Sequence, residues 1–189
     1  MDMRGRARTL VMMLCALPGG CAGSGGLRPV EFLDEHTAAS VTVVAKPMAF
    51  AHPRASIAAN VSEYVSVTAV AVERDGKRAY LLVTRVWSTV GPDRADQSGG
   101  LVVLVADNRR IRLGDTQSTL VDFGVSVPVQ AAAGIAPLSA ATLTDLATLQ
   151  FIAAAHSLAV ESPGGAPYAL FEDGRASLSR FIQYETGDR

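Results

Sequence analysis

Hydrophobic and polar positions along this chain follow two periods. From Val30 to about Val129 the apolar residues fall in short β-branched runs set off by turn-forming residues, the signature of strands. Ser40 to Ala45 is one such run, and Lys46-Pro47 ends or bulges it because proline has no N–H to give a ladder. Tyr64 to Val72 is almost continuously β-forming, Arg74-Asp75-Gly76-Lys77 supplies a turn, and Ala79 to Val90 returns. Asp-Gly between two such runs predicts a tight hairpin, since glycine accepts the positive φ that the turn demands. A second hairpin is predicted from Leu101–Ala106, the turn Asp107-Asn108-Arg109 and Arg110–Leu113. Gly91 to Gly100 is the loop between the two, and Thr119 to Val129 is a further strand broken by Gly124 and Pro128.

After Pro137 the period becomes helical. Ser139 or Thr142 can cap a helix in which Leu143, Leu146, Leu149, Ile152 and Ala153 share a face, running to about Ala155. Ser157–Glu161 and Tyr168–Glu172 then read as a third hairpin around Ser162-Pro163-Gly164-Gly165. Asp173 caps a closing helix with Leu178, Phe181 and Ile182 on one side. The expected fold is a single α+β domain, antiparallel β-hairpins followed by helix–hairpin–helix.

The first residues follow neither period. Arg4, Arg6 and Arg8 precede an apolar run from Leu10 to Leu17, followed by Pro18-Gly19-Gly20 and Cys21. This is the layout of a secretory signal, and its apolar run is far short of the roughly 20 residues that cross a bilayer as a helix. Its end resembles the signal peptide of bacterial lipoproteins, in which a small residue precedes an acylated cysteine that becomes the new N-terminus. Gly19, Gly20 and Cys21 fit that pattern, and Pro18 stands where the family usually has leucine. The resemblance implies acyl chains such as palmitate on Cys21 and a membrane attached through them. Ala22, where lipoproteins retained at the inner membrane often have Asp, implies the outer membrane, facing the periplasm. The expected division is residues 1–20 as signal, 21–28 as acylated cysteine and flexible Gly/Ser tether, and 29–189 as the folded domain. Cleavage would remove Cys15 and acylation would occupy Cys21, leaving the domain without a free thiol.

Composition narrows the function classes. At 49% hydrophobic and 19% charged the chain is too apolar for disorder, and a net charge of −1 supplies no basic surplus for a nucleic-acid backbone. No nucleic-acid partner and no cofactor is expected. Gly-x-Ser-x-Gly, Ser-x-x-Lys and Gly-Lys-Ser/Thr are all absent.

Four residues remain as candidate ligand or partner contacts. His36 follows Glu31, Asp34 and Glu35, an acidic cluster that can hold a divalent ion or surround a base, or else form a solvated loop. Arg110 and Arg112 share a strand face and suit carboxylate or phosphate groups, or else discourage edge pairing. Trp87 is a recognition anchor or a core aromatic. The sequence therefore points to an envelope lipoprotein whose domain is a non-catalytic binding or assembly module, with another envelope protein as partner. The alternatives are a periplasmic metal-dependent hydrolase using His36 and its carboxylates, or a carrier of a small apolar ligand.

Overall fold

The strand Tyr64–Val72 lies within the element on which the rest of the sheet is built. The computed structural model describes residues 24–55, 60–88, 102–114, 118–129, 138–161 and 167–187. Strand β4 (Asn60–Arg74) pairs antiparallel with β5 (Lys77–Ser88) from Glu63↔Ser88 to Arg74↔Lys77. Asp75 and Gly76 both take positive φ at the turn, as a two-residue hairpin connection requires of its central pair.

The other edge of β4 carries two strands in line. Its second half pairs with β2 (Ala39–Val43), from Ser40↔Glu73 to Val43↔Val70. Its first half pairs with β3 (Met48–Ala55), from Met48↔Val67 to Ala55↔Asn60. Between them Val44, Ala45, Lys46 and Pro47 stand opposite only Thr68 and Ala69, so the paired strand bulges. Val44 keeps one ladder bond, donating its N–H to the Ala69 carbonyl at 3.0 Å. Pro47 lies in this bulge, where the ladder is interrupted and its missing N–H costs no bond to β4.

From this junction the sheet grows both ways. β1 (Val30–Asp34) lies outside β2. Outside β3 follow β10 (Tyr168–Glu172), β9 (Leu158–Glu161), β6 (Val102–Ala106) and β7 (Arg109–Leu113). β8 (Leu138–Thr144) pairs with the far edge of β5, completing ten antiparallel strands among the described residues. Gly114, just past β7, donates its N–H to the Thr142 hydroxyl of β8 at 2.8 Å, so accumulated twist brings the two flanks of the sheet together.

Helices α1 (Leu146–Ala154) and α2 (Arg175–Thr186) pack on one face. Asp145 caps α1 by accepting the Thr148 N–H at 2.6 Å. Leu149, Ile152, Leu178, Phe181 and Ile182 meet Met48, Phe50, Val65, Val67, Ala69, Ala71 and Leu82 beneath them. The opposite face is buried too: Val41, Val43, Val70, Val72, Leu81 and Val83 are covered by Val125, Phe123 and Leu120 of the segment 118–129. Burial of both faces explains why Tyr64–Val72 reads as nearly continuous hydrophobicity.

The domain is α+β, mostly antiparallel sheet with two helices, and several expectations are corrected. The helix expected over 139–155 begins only at Leu146, because the open edge of β5 recruits Leu138–Thr144 as a strand. Leu143, expected on a buried helix face, is 63% exposed. Thr119–Val129 forms a 3-10 turn at Leu120–Phe123 and an irregular cover instead of a strand. β9 and β10 pair with each other antiparallel as expected, and they pair also with β6 and β3, which makes this hairpin an interior part of the one sheet. Gly174 is the N-cap of the closing helix, with Asp173 accepting the Arg175 N–H at 3.0 Å. Ser24–Leu27, expected within the tether, forms a 3-10 turn that touches α2. The signal segment with Cys21, the loop Gly91–Gly100 and the turn Ser162–Gly165 lie outside the described residues.

The bulge also positions α2. Gly174 lies against the bulge backbone so closely that a Cβ there would meet the Pro47 carbonyl oxygen at 2.6 Å. Three residues on, the Ser177 hydroxyl accepts the Lys46 N–H at 3.0 Å. Gly174→Ala therefore drives a methyl into backbone that cannot yield, and is expected to cost about 1–3 kcal/mol or more. Urea unfolding of wild type and variant measures it.

Candidate functional site

A polar hollow of about 320 Å³ opens where the C-terminal turn of α2 lies over the β1–β2–β4–β5 end of the sheet. Register and alternation build it: Glu31 pairs with Thr42, Thr42 with Ala71, and Ala71 with Tyr80, so their side chains share the helix-bearing face. One step along, Ser40 pairs with Glu73 and Glu73 with Arg78, beside the hairpin turn. Tyr184 and Glu185 come down from α2.

The walls are held by their own charges. Arg78 donates through Nε to Glu73 Oε2 at 3.0 Å and also through Nη2, while its Nη1 reaches Glu185 Oε2 at 3.2 Å. Glu31 accepts from the Tyr184 hydroxyl at 2.7 Å and from the Ser40 hydroxyl at 3.2 Å. Glu73 holds the Arg78 guanidinium above its ordinary pKa, against the opposing effect of burial. The Glu185 side chain is only 2% exposed, and burial pushes its carboxyl above the usual range, with the Glu31 charge adding to the effect. Arg78 and the hydroxyls of Thr42 and Tyr80 oppose that rise. Burial likewise raises the Tyr80 phenol. The hollow is thus lined by three carboxyl groups, one guanidinium and one phenol in fixed positions, with the Tyr80 phenol beside Glu185.

The residues singled out in the sequence lie elsewhere. His36 is exposed in the β1–β2 turn, and its N–H donates to Asp34. The acidic cluster before it does not converge: Asp34 is buried on the opposite face, accepting from the Ser126 N–H and hydroxyl, while Glu31 turns into the hollow. Among the described residues no three His, Cys, Asp or Glu side chains gather as a metal site. Trp87 is half-buried and stacks on Tyr64 at 5.4 Å, with Phe171 edge-on to Tyr64 at 5.7 Å. Arg110 and Arg112 share the outward face of β7, with Arg110 paired to Glu161 of β9, and Arg109 lies over the Phe151 ring of α1. His36, Trp87 and the arginine pair sit on different elements and share no hydrogen bond, ion pair or ring contact.

Sequence reading missed most of the hollow, although two signals were present. Glu73 and Arg78 flank the Asp-Gly turn as directly opposed unlike charges. Glu185 stands in the last turn of a helix, where the macrodipole disfavours an anion.

A second buried polar contact lies under the helices, where the Tyr168 hydroxyl of β10 donates to Glu63 Oε2 of β4 at 2.8 Å. The His52 ring, on the β3 residue that pairs with Glu63, is 5.5 Å from the Tyr168 ring. This contact ties β10 to β4 across β3.

No known family, no curated protein and no solved structure matches the chain. Among the described residues no helix is long and apolar enough to cross a membrane.

Two expected outcomes follow from the buried carboxylates. Ser126 above all, with the His36 and Thr37 N–H groups, outweighs burial and draws the Asp34 carboxyl down to about 2. A lowered pKa contributes stability that is present above the ordinary carboxylate range and is lost as pH falls through the folded value, from about pH 4 to about pH 2. Asp34→Asn sets an amide where two donors converge, so it lowers Tm at neutral pH and flattens the acid limb of a Tm-against-pH curve. Tyr168→Phe removes the buried bond to Glu63 and is expected to cost about 1–3 kcal/mol in urea unfolding.

Proposed function

We propose that this chain is a lipoprotein held at the outer membrane by acylated Cys21, and that its periplasm-facing domain is a non-catalytic module that binds or helps assemble another envelope protein. The signal layout and the Gly19-Gly20-Cys21 resemblance support the anchor. One observation carries the binding half: the hollow at Glu31, Glu73, Arg78 and Glu185 offers a concave surface whose charged groups are already fixed by bonds to one another. Groups held in this way need little ordering when a partner arrives, which favours recognition. Fixed charges also select partners by complementarity, and the excess of carboxylates over guanidinium favours a partner presenting a basic side chain. The 3-10 turn Ser24–Leu27 touches α2, so the described chain starts beside the helix that covers the hollow.

The test uses the full chain expressed with its own signal in a bacterial host. Intact mass is expected to show loss of residues 1–20 and addition of a diacylglyceryl group and a further acyl chain at Cys21. Cross-linking in intact envelopes is expected to recover one reproducible partner, and its recovery falls at least several-fold when Glu73→Ala and Arg78→Ala are combined. An unacylated Cys21 overturns the anchor. Equal recovery by the folded double variant overturns the hollow as the binding surface.

A further inference from the structure

α2 is fastened at both ends, but the two fastenings differ in kind. Its first turn is seated by Gly174 on Pro47, by Ser177 on the Lys46 N–H, and by Arg175, a permanent cation that pairs with Asp173 and donates to the Ala155 and His156 carbonyls. Its last turn is seated by Glu185, whose carboxylate lies in an unfavourable place for a negative charge.

Three features oppose ionisation there. The side chain is 98% withdrawn from solvent, which removes the hydration that stabilises an anion. It sits at the negative end of the helix dipole, in a turn that contains no basic residue. It also shares the hollow with other carboxylates. The groups facing it are Glu31 from β1, Thr42 from β2, Glu73 from β4 on the far side of Arg78, Arg78 and Tyr80 from β5, and Tyr184 beside it on α2. α1 and the turn Ser24–Leu27, which also pack on α2, carry no charged residue. The single cation, Arg78, is more fully engaged by Glu73, which it meets through both Nε and Nη2.

We propose that Glu185 is a proton-controlled latch: protonated, it holds the last turn of α2 down over the hollow, and on ionising it loosens that turn and widens the hollow. The sense follows from linkage. A carboxyl pKa raised by docking means that the docked turn binds the proton more tightly than the released turn. Docking is therefore tightest below the released-state pKa, and weakens as pH rises through the docked-state value. The lowered carboxyls Asp34, Asp107, Asp145 and Asp173 act in the opposite sense and at lower pH, so the two effects separate along the pH axis. The latch stands on this geometry and is independent of what the hollow binds.

Amide hydrogen exchange of Gln183 to Gly187, expressed as protection factors so that the base-catalysed chemical rate is removed, reads the latch directly. Between about pH 4.5 and about pH 7.5 wild-type protection in this turn is expected to fall several-fold, by at most tenfold per unit of pKa rise, while β4 amides hold theirs. Glu185→Gln imitates the protonated form and is expected to keep high, pH-independent protection. Flat or rising protection in wild type, or the same slope in Glu185→Gln, overturns the latch. Should that variant fail to fold, the carboxyl carbon of wild-type Glu185 is followed by NMR. An inflection above the free glutamate value supports the latch, and one at or below it overturns the latch.

Discussion

Everything in this fold depends on one strand hosting two partners on a single edge. β4 is 15 residues long, about 50 Å of extended chain, and neither β2 nor β3 could cover that edge alone. The covering strand must pass through four residues while β4 advances by two, and the surplus is absorbed as the bulge Val44–Pro47. Beyond it, β2 leads to β1 and the hollow, whereas β3 leads to β10, β9, β6 and β7. A continuous partner strand would leave Gly174 and Ser177 without the backbone they seat on.

The register of β4 decides the chemistry of both faces. Its odd-numbered positions from Val65 to Ala71 carry the helices, and the same alternation continues outward to Glu63 and Glu73. Polar groups thus mark the two ends of an apolar track. At one end Glu63 is bonded by Tyr168, and at the other Glu73 orients Arg78 in the hollow. Slipping β4 by one residue would move both glutamates to the opposite face and place Ser66 and Thr68 under the helices, so the buried Glu63 and the polar residues of β4 themselves resist misregister.

How much of this was legible in the sequence depended on whether a signal was local. The hairpin at Asp75-Gly76 was readable because the turn and the β-forming runs on either side are contained in about twenty adjacent residues, and the turn at Asp107 was readable likewise. Leu138–Thr144 carries no such mark: its alanines, threonines and leucines suit helix and strand about equally, and the choice is made by the open edge of β5, more than fifty residues away in sequence. The hollow was illegible for a related reason. Glu31, Ser40, Glu73, Arg78 and Glu185 meet only because β1, β2, β4, β5 and α2 are stacked in that order, and no spacing in the chain records that order. Conversely, Glu31, Asp34 and His36 are neighbours in sequence that strand alternation and the Ser126 contact send to different places.

α2 carries the consequence of the bulge to the hollow. A helix of 12 residues spans about 18 Å, and a buried side of Ser177, Leu178, Phe181 and Ile182 fixes how it lies on the sheet. Its far end therefore cannot shift independently of its near end without unpacking that side. Only the last turn lies beyond those four contacts, and it is there that the buried carboxyl of Glu185, facing Arg78, replaces apolar packing. The helix is thus rigid where it meets the bulge and conditional where it meets the hollow. At the near end Arg175 is permanently charged and keeps the Asp173 carboxyl below its usual range, so a response to protons around neutrality is confined to the turn that covers the charged pocket.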